Sequence, residues 1–207
     1  MELVIASKNM HKVRELKQLL KQSYKDFDLL SLADFPDYAP PLETETTFEG
    51  NAKHKALHAA KTLQKLVLAD DSGLIVPALG DKPGVFSARY AGPHATDLEN
   101  RLKLLADMSD LQDIDRSAYF ECALALASAE GIIATVKGTC EGTILSEERG
   151  RGGFGYDALF QKYEYSKTFA ELDEEIKNRV SHRRKAFDRL CLFLDALTED
   201  ALLDRRI

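Results

Sequence analysis

Two short runs, Leu3-Val4-Ile5-Ala6 and Leu66-Val67-Leu68-Ala69, are apolar at every position instead of at alternate ones. A strand of that kind faces water on neither side, so other elements must cover it on both. Amphipathic helical stripes supply the cover. Val13, Leu16, Leu19 and Leu20 form one, and Phe48, Ala52, Ala56, Ala59 and Leu63 form a second whose small residues suit close packing on a sheet. Leu98, Leu102 and Leu105 predict a third inward face, and Ala186, Leu190, Phe193, Leu194 and Leu197 a fourth, on a long helix starting near Ser181. Thr46 with Glu49, Thr96 with Glu99 and Thr168 with Glu171 read as capping boxes that open helices. Residues 117–128 and 132–144 are β-prone and meet at Ala129-Glu130-Gly131, a hairpin signal, and a short strand is expected within 26–34. Buried strands alternating with helices around one long hairpin predict an α/β fold with a mixed sheet.

The 207 residues suffice for one domain, 1–207, with room for two lobes, and no repeat or flexible linker interrupts them. The net charge of −6 disfavours wrapping duplex nucleic acid, whose affinity comes largely from neutralised phosphates. Cys122, Cys140 and Cys191 match no zinc spacing and sit in apolar runs, which predicts buried thiols in a reducing compartment. No stretch approaches a membrane span and the first residues carry no secretory pattern, so the expected location is cytoplasmic.

The strongest chemical signal is Asp70-Asp71-Ser72-Gly73, directly after a buried strand, and Leu74-Ile75-Val76 beyond it can continue the sheet. Paired carboxylates at a strand end suit a hard divalent cation, although Asp, Ser and Gly also make ordinary turns. Glu43 precedes a helix and has no capping duty, which makes it the second candidate metal carboxylate. Ser7, Asn9 and Lys12 sit where a strand opens into a helix, and backbone N–H groups there favour anions. The glycines from Gly150 to Gly155 belong to no P-loop or dinucleotide fingerprint, but beside Phe154 and Tyr156 they suit the close approach of a flat ligand. Lys177, Ser181, His182, Arg183, Arg184 and Lys185 form a basic run. Such a run is usually a solvated face, yet His182 and Arg183 carry donors suited to a purine edge or a phosphate.

Six segments in order resemble the inosine triphosphate pyrophosphatase family over nearly the whole chain. They are Ser7-x-Asn9-x-x-Lys12; Glu43-Thr44 with Thr47-Phe48-Glu49-Gly50-Asn51-Ala52; Ala69-Asp70-Asp71-Ser72-Gly73-Leu74; the stretch from Pro83 to Gly92; Gly152-Gly153-Phe154-Gly155-Tyr156-Asp157; and Lys177 with Ser181-His182-Arg183. The resemblance implies a two-lobed α/β fold with a long central mixed β-sheet flanked by helices and the active site in the cleft between lobes. It implies a homodimer and the hydrolysis of ITP, dITP and XTP to the monophosphate and pyrophosphate. By the same resemblance Asp71 is the catalytic carboxylate, and Glu43 with Asp71 serves Mg²⁺. Ser7, Lys8, Asn9, Met10, His11 and Lys12 bind the triphosphate, and Ser72 contacts substrate. Phe154, Gly155, Tyr156, Asp157, Lys177, His182 and Arg183 hold the base and sugar. The chain departs from the family pattern at Glu45, where a glycine is frequent, and at Ala158, where a proline is frequent. Open alternatives are a pyrophosphatase for pyrimidine or modified nucleotides and a nucleotide-binding regulatory module without hydrolysis.

Overall fold

The computed structural model describes residues 1–204, with side chains described through residue 198. Its strands are β1 (Glu2–Ala6), β2 (Asp28–Ser31), β3 (Leu66–Val76), β4 (Lys82–Pro83), β5 (Ser117–Ser128), β6 (Gly131–Ile144) and β7 (Phe160–Lys162). The helices are α1 (Met10–Ser23), α2 (Phe48–Leu63), α3 (Asp97–Asp107), α4 (Glu174–Val180) and α5 (His182–Asp204). The strands form one sheet in the order β2-β1-β3-β5-β6-β7, with β4 paired to β3. The β1 strand runs parallel to β2 and β3, whereas β4 and β7 pair antiparallel. The fold is therefore α/β with a mixed sheet, as the alternating pattern predicts. No helix among the described residues is long and apolar enough to cross a membrane.

The chain divides into two compact units. The first comprises Met1–Asp71, Ala123–Gly138 and Arg183–Ile207, and the second comprises Ser72–Cys122 and Thr139–His182. In the first, the all-apolar runs are fully buried, with Leu3, Val4, Ile5, Val67, Leu68 and Ala69 at 0% exposure. The α2 helix packs on β1, presenting the buried Ala52, Ala56, Ala59 and Ala60, whose small side chains allow a short helix-to-sheet distance. In the second, Phe120, Phe160, Phe169 and Tyr156 form an aromatic centre closed by Leu74, Leu104, Met108 and Leu159.

Several local expectations are corrected. The α2 helix is capped by Thr47, whose hydroxyl accepts from the Gly50 N–H at 3.0 Å, and not by a Thr46–Glu49 box. Glu49 instead pairs with Lys53 one turn on and with Lys137. The α3 box holds, with Thr96 and Glu99 bonded reciprocally, but Leu98 and Leu102 are 50% and 55% exposed. The inner face turns to Leu104 and Asn100 because the Asn100 amide accepts from the Ala91 N–H at 2.8 Å and donates to the Ala88 carbonyl. Thr168 and Glu171 close a turn and open no helix: the Thr168 N–H donates to Glu171 at 2.8 Å, and its hydroxyl bonds the Arg149 carbonyl. On α5, Phe193 is 40% exposed, and Phe187 takes the buried position. None of the three cysteines forms a disulfide; Cys122 and Cys140 are buried and Cys191 is half-buried.

The largest revision concerns Asp70-Asp71-Ser72-Gly73, which is no strand end. It lies inside the uninterrupted β3, and the unit division falls between Asp71 and Ser72. Gly73 is required for packing and not for a turn. A Cβ there would stand 2.8 Å from the Gly84 carbonyl oxygen and from Ser87 Cβ, with Ser87 Oγ nearer still. That hydroxyl accepts the Leu74 N–H at 2.9 Å and donates to the Gly84 carbonyl at 2.6 Å, so it has no freedom to withdraw. Gly73→Ala is expected to destabilise by about 1–3 kcal/mol through overpacking, read as a lower midpoint in thermal denaturation.

Candidate active site

Strand alternation decides what the two aspartates do. Successive side chains point to opposite faces of a sheet, so Asp70 and Asp71 acquire different partners. Asp70 is fully buried and holds Lys12 Nζ at 2.8 Å on one oxygen and Arg183 Nε at 2.7 Å on the other. Arg183 also pairs with the buried Glu15. Burial alone would raise the Asp70 pKa, but Arg183 and then Lys12 outweigh it and hold the carboxyl well below the usual range.

Asp71 turns to α2. Lys55 Nζ donates to Asp71 Oδ1 at 2.8 Å, to Glu43 Oε1 at 2.9 Å and to the Asp70 carbonyl at 2.8 Å. Burial is the largest influence on Asp71 and pushes its pKa up against the opposing Lys55 and Lys12, with Glu43 adding to the rise. For Lys55 burial works against the charge, yet Asp71 and Glu43 overcome it and raise the pKa. Asp71 Oδ2 is buried with no hydrogen-bond partner among the described residues. No group of three or more His, Cys, Asp and Glu side chains forms a metal cage among the described residues. Mg²⁺ does not require one, because it takes one or two carboxylates and completes its shell with water and phosphate oxygens. Two carboxylates already gathered at one ammonium, one of them with an open oxygen, fit that mode.

The β1-to-α1 junction is organised by Asn9. Its side chain accepts the His11 N–H at 2.9 Å and the Lys12 N–H at 3.3 Å, and its own N–H donates to Ser7 Oγ at 3.1 Å. The cap therefore occupies two of the N–H groups expected to meet an anion, and the Lys12 ammonium is the stronger donor at this end. Lys8, Met10 and His11 are exposed around it.

In the second unit the glycine-rich segment forms a tight turn around a carboxylate. Asp157 accepts the Phe154 N–H at 2.9 Å and Lys177 Nζ at 2.6 Å, and both charged side chains are 5% exposed. Gly153, at φ +72°, leaves the room that Asp157 occupies. Gly155 donates its N–H to Asp97 at 2.7 Å, and its carbonyl accepts from Arg101 at 2.9 Å. The Lys177 ammonium lies 4.6 Å from the centre of the Phe154 ring, a cation–π contact. A cavity of about 330 Å³ opens at this turn, lined by Asp97, Arg101, Glu148, Arg151, Phe154 and Asp157 among others. Its size lies within the range of small-molecule sites.

The basic run is not a solvated face at the positions that matter. Lys177, Ser181, His182 and Arg183 are all buried, and His182 stacks on Phe120 at 4.8 Å. Tyr156 is buried in the aromatic centre, and its hydroxyl donates to the Ser87 carbonyl at 2.9 Å, so its ring has a core duty. Within the first unit, then, Lys12, Asp70, Arg183 and Glu15 form one cluster, and Glu43, Lys55 and Asp71 form another. Phe154, Asp157 and Lys177 form a third within the second unit.

The model of the Ham1 family matches residues 3–193. The chain belongs to the Ham1 family. Among its relatives, a protein of Protochlamydia amoebophila named dITP/XTP pyrophosphatase is 55% identical over 200 residues, which cover 96% of this chain and 100% of that protein. A dITP/XTP pyrophosphatase of Chlamydia caviae is 52% identical, covering 99% and 100%. The solved Ham1 protein of Staphylococcus aureus shares 40% identity at a TM-score of 0.83, over 95% of this chain and 99% of that one. The Ham1 protein of Coxiella burnetii shares 41% identity at a TM-score of 0.84, with the same coverage.

Two residues of this Ham1 chain, Lys55 and Glu15, join the clusters without having been marked in the sequence, and a third, Asn51, appears there only within a motif. Lys55 looks like an ordinary helix lysine, and Glu15 like the polar side of α1. Asn51 stands beside the alanine stripe of α2, at 1% exposure. The available signal was spacing, since Asn51 and Lys55 flank the buried Ala52 and Ala56 at i and i+4 and so share one helix face.

Proposed function

We propose that this chain hydrolyses dITP, ITP and XTP, the triphosphates of non-standard purine nucleosides, to the nucleoside monophosphate and pyrophosphate. The observation that carries the reading is the Asp71 carboxylate. It is buried, raised in pKa, fixed through one oxygen by Lys55 and open at the other. A general base needs a fixed position and gains from a raised pKa, and Asp71 has both.

Glu43 and Asp71 would hold Mg²⁺, which when bound neutralises phosphate charge and eases the approach of a nucleophile. Asp71 orients a water toward the α-phosphorus and takes its proton; the bond to the bridging oxygen breaks and pyrophosphate leaves. Lys12, kept by Asp70 in a fixed position yet 14% exposed, meets the charge developing on the phosphates. Lys55 holds Glu43 and Asp71 close despite their like charge. Replacing it with methionine removes the attraction and keeps most of the volume. Lys55→Met should lower kcat/KM for dITP about a hundred-fold, within the span of general base catalysis; steady-state kinetics alongside circular dichroism checks this.

Phe154 offers a ring for stacking, and His182 is the donor we assign to the 6-oxo group of hypoxanthine or xanthine. A donor at that position opposes the amino group of adenine and so rejects ATP. Arg183, with its fork engaged by Asp70 and Glu15, serves this selection by holding the chain beside His182. A panel of dITP, XTP, dATP, dGTP and UTP with pyrophosphate detection tests the assignment. Preferential cleavage of dITP and XTP is expected, and equal rates on dATP would overturn it.

The same proposal includes a homodimer and a cytoplasmic location. Phe86, Leu98 and Leu102 are exposed on α3 and the adjoining 3-10 turn, giving a second copy an apolar surface to cover. Light scattering reads the mass. Three cysteines without a disulfide suit a reducing compartment.

A further inference from the structure

Asn51 is buried in the first turns of α2, and one end of its side chain is committed. Its Oδ1 accepts the Glu45 backbone N–H at 3.1 Å, which fixes which end of the amide is oxygen. The other end, Nδ2, is a buried donor with no hydrogen-bond partner among the described residues. Leaving such a donor unmatched costs its full desolvation, so an occupant is expected. If the side chain served only to hold the Glu45 N–H, an aspartate would do so and leave no donor behind.

The surroundings define the occupant. Asn51 and Lys55 lie on successive turns of one helix face. Lys55 carries Glu43 and Asp71, and Asn51 ties down the segment on which Glu43 stands. That segment lies directly on the first turn of α2, because a Cβ at Gly50 would stand 2.9 Å from Glu45 Cβ and 3.1 Å from Thr47 Oγ1. The open acceptor of Asp71 and the open donor of Asn51 thus belong to elements joined at the same carboxylate pair. An open acceptor suits a cation, and an open donor suits an oxygen that arrives with the ligand.

We propose that Asn51 is a further site residue of the pyrophosphatase reaction. Its Oδ1 positions the Glu43 segment, and its Nδ2 donates to an oxygen of the ligand, either a phosphate oxygen or a water on the bound cation. The inference rests on the function proposed above and names a donor for that same site.

Calorimetric titration of wild type, Asn51→Asp and Asn51→Ala with pyrophosphate, with and without Mg²⁺, tests it alongside kcat and KM for dITP. Asn51→Asp keeps the acceptor for the Glu45 N–H and removes the donor; Asn51→Ala removes both without adding charge. Pyrophosphate binding should weaken at least about ten-fold in both, as for a lost hydrogen bond to a charged group. The thermal midpoint of at least one variant should stay at the wild-type value. Weakening without Mg²⁺ assigns the oxygen to phosphate, and weakening only with Mg²⁺ assigns it to water on the cation. Wild-type pyrophosphate affinity, kcat and KM in either folded variant overturn the proposal. So does weakening seen only in step with a fall in thermal midpoint. A wild-type protein that neither cleaves dITP nor binds pyrophosphate defeats the proposed function instead, which keeps the two failures apart.

Discussion

Asp71→Asn is expected to abolish dITP hydrolysis, with kcat reduced by about a thousand-fold or more, while the thermal midpoint holds or rises. The activity loss follows from removing the proton acceptor and a metal carboxylate together, each of which alone is worth about a hundred-fold or more. The stability expectation comes from the raised pKa. Burial disfavours the ionised form of Asp71, so its charge is a cost to the folded state above the ordinary carboxylate range, and a neutral amide removes that cost. The Lys55 contact limits the gain, because its ammonium keeps Glu43 but loses an anionic partner. Stopped-assay kinetics with calorimetric scanning of the same preparation separates the effects. Near-normal turnover in Asp71→Asn would remove Asp71 from the chemistry.

Arg183→Ala has the opposite signature. It strips the guanidinium from Asp70 and Glu15, leaving Glu15 without that partner and Asp70 with Lys12 of the two cations named here. Breaking a buried ion pair from one side costs about 3–5 kcal/mol. In a domain of this size that is a fall of roughly 10 °C in thermal midpoint. A loss of selectivity between ITP and ATP at unchanged stability would instead make Arg183 a direct reader of the base. Arg183→Ala with Glu15→Gln should recover part of the midpoint, because the second change removes one of the stranded charges.

How far the sequence could be read is clearest in β3. Its apolar first half reads as a buried strand from residues alone and Leu74-Ile75-Val76 as a continuation of the sheet, but Asp70-Asp71-Ser72-Gly73 between them reads as a turn at the first strand's end. The strand continues because Asp70 and Asp71 are paired with cations outside the strand, Lys12 and Arg183 for one and Lys55 for the other, of which Lys55 lies 16 residues back and Arg183 113 residues on. Local pattern carries no trace of a partner more than a hundred residues away. Arg183 was obscured for the same reason and Lys177 by a nearer partner, since a basic run reads as solvated until Asp157, 20 residues from Lys177, and Asp70 and Glu15 are placed against it. The Thr96–Glu99 cap, whose contact spans three residues, reads correctly, but the same Thr-x-x-Glu spacing misplaces the α2 cap at Thr46 and predicts a helix at Thr168 where the pair closes a turn. On α3 the apolar stripe misled because the buried Asn100 side chain satisfies the carbonyl and N–H of a neighbouring loop, a role hydrophobicity cannot register. The order of the motifs pointed to the candidate site, but the division of labour between Asp70 and Asp71 required the register of the strand.

In the proposed reaction a water activated at Asp71 attacks the α-phosphorus. Mass spectrometry of dITP hydrolysis in ¹⁸O-labelled water tests it most directly. The label is expected in the nucleoside monophosphate and not in pyrophosphate. Label in pyrophosphate, or products that are the nucleoside diphosphate and inorganic phosphate, would contradict it.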